Sequence, residues 1–184
     1  MSELEDELMV KARPMLVVAM ILMAAASRLI PHPPNLTAVT AMALFGGAML
    51  NDRRLAFVVP LAALFLSDLV LGFHSQMFVV YGSFLVIVCI GLWLQQHRRA
   101  APIAGAALVS SILFFLTTNF GVWALDRMYP LTFAGLIACY TAALPFFRNA
   151  LAGDLFYTLL LFGGFALLEW QFPRLRYELA ALPA

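Results

Sequence analysis

Eleven basic residues divide a chain that otherwise reads as a succession of long apolar runs, and they divide it unevenly. The runs at 15–31, 36–50, 54–73, 77–96, 101–124 and 149–170 read as six membrane spans. With both termini on one side, that side holds Lys11, Arg13, Arg53, Arg54, Arg98, Arg99, Arg174 and Arg176. Arg28, Arg127 and Arg148 fall on the other. Eight against three is the asymmetry expected of cytoplasmic and outer loops, so both termini are placed in the cytoplasm.

Composition agrees with this division. The chain is 64% hydrophobic and 11% charged, whereas soluble domains carry about 25% charge. Its 184 residues hold about six spans of ~20 residues and little else, which leaves no room for an attached soluble catalytic domain. The expected architecture is an all-α integral membrane bundle of six transmembrane helices. Residues 1–13 form a cytoplasmic leader, 14–172 the membrane domain and 173–184 a cytoplasmic tail. Met1–Leu8 is acidic, unlike the basic start of a secretory signal. The basic pairs act as topology signals, and no nucleic-acid partner is expected.

The second run is short. Fifteen residues rise only ~22 Å, so one end must be surrounded by protein or the bilayer must thin locally. Gly46, Gly47 and Ala48 would let another helix approach it closely. Leu131–Phe147 is apolar enough for a seventh span, but crossing there would weaken the charge asymmetry to seven against four. It is therefore read as a re-entrant or lid-like outer segment before the last helix. Cys89 and Cys139 lie at different depths, too far apart for a disulfide.

Ionisable residues inside spans cost about 2.5–3.5 kcal/mol each on insertion scales and so need a reason to be there. Arg28, Asp68 and Asp154 fall inside spans in the outer half, with Arg148 at its boundary, while Glu169 reads as an anchor at the inner end. Arg28 can pair with Asp68 or with Asp154. Arg148 and Asp154 are six residues apart, nearly two turns, and are expected to point in roughly similar directions. The fifth span becomes polar through Ser110, Ser111, Thr117, Thr118 and Asn119 towards Trp123, the pattern of a helix lining a cavity. Asn119, Trp123, Tyr129 and Tyr140 add amide and aromatic groups on that side, a mixture small-molecule sites use.

The expected substrate-binding or gate residues are Arg28, Asn35, Asp68, Asn119, Trp123, Arg148 and Asp154. No nucleophile elbow, phosphate loop or CxxC motif occurs, and no catalytic residue or metal ligand set is assigned. The expected role is binding and uptake of a small molecule, not catalysis. The rivals are a non-catalytic assembly subunit and a small intramembrane enzyme built on Asp68 and His74.

Two resemblances sharpen this. Ala43–Ala48, the turn Asn51–Arg54, and Leu61–Leu66 running into Ser67-Asp68-Leu69 resemble substrate-binding S components of energy-coupling-factor (ECF) transporters for vitamins and metals. Arg28–Asn35, Thr118–Trp123 and Ala143–Asn149 resemble an uncharacterised bacterial family of small membrane transport proteins. The resemblance implies a bacterial inner-membrane location and a vitamin-like or cofactor-precursor substrate. Its implied partners are the bilayer and an ECF energising module of a coupling subunit and ATPases; the cofactor is left unknown. S components carry AxxxA in the first span, whereas here Met23 follows Ala19 and Arg28 follows Ala24, which leaves room for a solitary transporter. A corrinoid substrate would imply a cobalt ligand, for which Cys139, His32 and His74 are the outer candidates.

Overall fold

Short polar and proline-bearing turns cut the apolar runs into helices, and side-chain caps fix where two of them start. In the computed structural model, residues 2–173 and Leu175 are described, with side chains from residue 12 onward. Lys11's side chain, and Arg174 and Arg176 of the expected tail, lie outside the described residues. The described chain is all helical: α1 (Ser2–Ser27), α2 (Val39–Met49), α3 (Arg53–Leu71), α4 (Met77–Leu94), α5 (Ala100–Leu125), α6 (Phe133–Thr158), a π turn (Leu159–Gly163) and α7 (Gly164–Gln171). The last three form one uninterrupted helix of 39 residues, so the described residues form six helices.

Asp52 starts α3 by accepting the backbone N–H groups of Arg54 and Leu55, at 2.7 and 3.1 Å. Thr132 starts α6 by accepting that of Gly135 at 3.1 Å. Arg53–Leu71, Met77–Leu94, Ala100–Leu125 and Phe133–Gln171 are each long and apolar enough to cross a membrane. The apolar part of α1, Ala12–Ser27, and α2 are shorter.

Two expectations are corrected. The leader is not a separate element, because α1 begins at Ser2 and passes through Pro14 without a break. Nor does the segment before the last span fold back as a lid: 133–147 becomes the first part of the long helix, with Thr132 as its cap. Pro145 removes one helical hydrogen bond, but α5 clamps α6 on both sides of it. The Phe115 ring lies 5.7 Å from Tyr140 and 4.5 Å from Phe147, and the Tyr140 hydroxyl donates to the Leu116 carbonyl at 2.6 Å.

The short second span has found protein on every side. All eleven residues of α2 are buried, and it touches α1, α3, α4, α5, α6 and the π turn. Its closest neighbour is α4. A Cβ added at Gly47 would lie 2.4 Å from the Val88 carbonyl oxygen, and one at Gly91 would lie 2.5 Å from that of Leu44. Only glycine at both positions allows this approach. Phe45 extends the same core, meeting Phe162 and Phe165 edge-on at 5.2 and 5.9 Å. Gln95 ties down the end of α2 by donating to the carbonyls of Gly47 and Leu50, both at 2.9 Å.

At about 16 Å, α2 covers only part of the bundle's length. Towards the end that carries Arg28, its lane is taken by the α1–α2 loop. That loop turns through Leu36 N–H to Pro33 O at 3.1 Å and through Asn35, whose φ is +62°. It is held to α6 by Asn149, whose amide donates to the Pro34 carbonyl at 3.1 Å. Gly153 lets it in, since a Cβ there would lie 3.1 Å from the Thr37 nitrogen.

Gly91→Ala is expected to destabilise the detergent-solubilised protein by about 1–3 kcal/mol through overpacking. Gly105→Ala, where nothing lies within 4 Å of an added Cβ, should be neutral or stabilising by up to ~1 kcal/mol. Thermal unfolding of the two variants side by side checks both the α2–α4 contact and its location.

Candidate functional site

Apart from exposed Arg148, the charged residues inside the apolar segments separate into three groups. At one end, Arg13 is 1% exposed. Its guanidinium donates to Glu169 at 3.2 Å and to the Leu175 carbonyl at 3.0 Å, and lies 5.1 Å from the centre of the Phe165 ring. Arg98, in the α4–α5 turn, lies close enough to feel both charges. Burial first, then Arg13, pulls its guanidinium down to about 10, with Glu169 acting the other way. At the opposite end, Arg28 pairs with Asp68 at 2.9 Å and donates to the Ser67 hydroxyl. The other Asp68 oxygen accepts the Tyr81 hydroxyl at 2.9 Å.

The third group is Asp154, and it is different. It is buried on α6, and its two carboxylate oxygens accept the hydroxyls of Thr40 on α2 and of Ser111 on α5, the latter at 2.7 Å. No cation pairs with it among the described residues.

Asp154 lies at one end of a cavity of about 280 Å³ in the space α2 does not fill. Asn35, Thr37 and Thr40 line one side, Gln76 and Val80 of α4 another, with Ser111, Thr118, Asn119 and Val122 of α5. Phe114, Phe115, Phe146 and Phe147 supply aromatic wall. One acid and no base line this space. Gln76 is 9% exposed, and neither its amide oxygen nor its amide nitrogen has a hydrogen-bond partner. Gly121 is what makes room for it: a Cβ there would lie 2.3 Å from the Gln76 oxygen.

A family model described as a family of unknown function, DUF6580, matches residues 9–175. The chain belongs to DUF6580. No curated protein and no solved structure matches it. The whole cavity, from Asn35 to Asp154, lies within the matched range.

Of the seven residues expected at the site of this DUF6580 protein, Asn35, Asn119 and Asp154 line the cavity. Arg28 and Asp68 do come together, but into each other and away from it. Trp123 donates its indole N–H to the Pro130 carbonyl at 3.0 Å, bracing the α5–α6 turn. Arg148 is exposed. Six residues of helix turn through about 600°, which leaves Arg148 some 120° away from Asp154, so the expectation of a shared direction was geometrically wrong. Glu169 is more than an anchor, being the partner of a buried arginine.

Three contributors escaped the sequence reading. Thr40 sits in an apolar run whose burial gives no hint that its hydroxyl meets a carboxylate. Gln76 precedes α4 and looks like an ordinary loop residue. Arg13 reads as a topology signal until Glu169 is brought beside it. The paired phenylalanines at 114–115 and 146–147 were a visible signal, because each pair sits one or two turns from a polar cavity residue. Among the described residues, no three His, Cys, Asp or Glu side chains gather as a metal site.

Arg28→Met leaves the Asp68 carboxylate buried without its cation and should cost about 3–5 kcal/mol of stability. Adding Asp68→Leu removes the stranded charge and should recover more than half of that loss. A double-mutant cycle read by thermal unfolding decides it; independent, additive losses would show that the pair is not a structural clasp.

Proposed function

We propose that this DUF6580 protein binds a small, vitamin-like or cofactor-precursor molecule at the outer face of the bacterial inner membrane and moves it inward. In this reading both termini are cytoplasmic, the Arg13 end faces the cytoplasm and the Arg28 end faces outward, as the basic residues favour. The observation that carries it is the cavity between α2, α4, α5 and α6, with a buried carboxylate at one end and aromatic side chains in its wall. Ligand sites have this character: mostly apolar walls with a few placed polar groups. At about 280 Å³ the space suits a ligand smaller than a drug-sized molecule.

A short second helix embedded in a six-helix bundle is also in keeping with an S-component-like transporter. Ala19 and Met23, where S components carry the small-residue pair for their coupling subunit, support solitary action over docking to an ATPase module. A corrinoid is a poor candidate, since it is far larger than the cavity and none of Cys139, His32 and His74 lines it.

The rival readings find less support. An assembly subunit without a ligand calls for a filled bundle, and this one has a polar-lined space. An enzyme built on Asp68 and His74 calls for a free carboxylate, and Asp68 is taken up by Arg28 and Tyr81 while His74 is exposed.

The test is native mass spectrometry of protein gently purified from its own host, beside Ala150→Trp, which places an indole in the cavity. A stoichiometric small molecule on the unmodified protein, absent from the folded tryptophan variant, is the expected result. An unmodified protein that is empty and holds a stable partner subunit overturns the reading in favour of assembly.

A further inference from the structure

Asp154 and Gln76 are both unfinished. A carboxylate within a membrane-spanning helix is ordinarily met by a cation or lies against water. Asp154 instead has two hydroxyl donors and no positive partner among the described residues. An ionised carboxylate has about four acceptor positions, so the two hydroxyls leave it room for further donors. Gln76 offers a donor and an acceptor side by side, and both are buried without a partner. Leaving such groups unmatched is costly, because each gives up its hydration without a replacement hydrogen bond. Both side chains line the same cavity, whose walls hold four phenylalanines and no basic residue.

Resting on the binding role proposed above, we infer that the cavity takes a small organic cation, a protonated amine, that also carries an amide-like donor–acceptor edge. The ammonium group donates to the free acceptor positions of Asp154. The edge pairs with the Gln76 amide, its carbonyl accepting from the Gln76 nitrogen and its N–H donating to the Gln76 oxygen. The phenylalanine rings favour the cation further, because their faces carry negative electrostatic potential. Anionic solutes are refused, as a carboxylate would meet Asp154 with nothing to offset the repulsion. Thr40 and Ser111 position the acid, each donating to one of its oxygens.

Asp154 lies beside Ser111 and Gln76 beside Gly121, ten residues or about 15 Å along α5, so the test uses three probes of one extended skeleton: 6-aminohexanamide, with both groups; hexanamide, which lacks the amine; and pentylamine, which lacks the amide. Binding is measured by calorimetry on the full-length protein in nanodiscs, with thermal unfolding to establish that each variant folds. 6-Aminohexanamide is expected to bind at least about tenfold more tightly than either of the others. Asp154→Asn should collapse its preference over hexanamide towards unity. Gln76→Leu should collapse its preference over pentylamine while leaving the ligand-free protein as stable as before or more so, because it removes two unmatched buried atoms. A Gln76 with a purely structural role would instead lower the melting temperature.

Equal or tighter binding of hexanamide, lost in Ala150→Trp, overturns the cationic class and leaves the binding role standing. Binding of all three that Ala150→Trp does not disturb, or no binding of any together with an empty protein from the host, overturns both.

Discussion

The bundle depends on one constraint: an eleven-residue helix that is buried along its whole length. Neither lipid nor water satisfies α2; its neighbours do, and they can only because Gly47 and Gly91 bring two backbones into contact. Burying so short a helix has a consequence at its other end. About 16 Å of helix cannot fill a lane whose neighbours rise about 27 Å or more. The remainder of the lane must hold a loop, a space, or both. Here the α1–α2 loop dips in against Gly153 and the rest stays open. The packing requirement and the cavity are thus one feature, since lengthening α2 to span fully would fill the site.

Electrostatics separates structure from function along the same axis. Arg13 with Glu169, and Arg28 with Asp68 and Tyr81, set buried charge against opposite charge and further hydrogen bonds. That pairing is what makes an apolar surrounding tolerable, although Arg28 Nε keeps no hydrogen-bond partner. On the cavity wall Asp154 has hydroxyl donors but no cation among the described residues, and the Gln76 amide has no partner. Charge is thus met by charge at both ends of the bundle, whereas the carboxylate on the cavity wall is met by neutral donors alone.

Much of this was legible in the sequence, and the rest failed for identifiable reasons. Apolar run lengths located the helices, and the short second run announced a helix needing protein around it. The polar side of α5 pointed to a cavity that Ser111, Thr118 and Asn119 do line. The charge asymmetry, however, misled before the last span, because a count of basic residues on each side cannot register that 133–171 runs on as one helix, clamped by α5 on both sides of Pro145. Ionisable residues were picked out as a class, yet a sequence cannot say whether a charge faces its partner or a cavity. Arg28 and Asp68 were chosen for the same reason as Asp154 and turned out to be joined. Thr40 and Gln76 were invisible because their importance lies wholly in what stands opposite them.

The polar lane continues past Asp154, and under the proposed uptake role this sets how a bound molecule would move. Thr158 lies one helical turn further along α6, and Ser110 is next to Ser111; both hydroxyls are buried without hydrogen-bond partners. The π turn Leu159–Gly163 begins immediately after Thr158. Such turns widen a helix by one residue and recur at functional sites, because they loosen the regular hydrogen-bond ladder. Beyond it Phe162 and Phe165 pack edge-on against Phe45 of α2. What separates the cavity from the Arg13 end is therefore a layer of aromatic packing carried on the least regular part of the long helix. Opening a path there would need a shift of that irregular turn against α2, and would leave the ion pairs at both ends of the bundle intact.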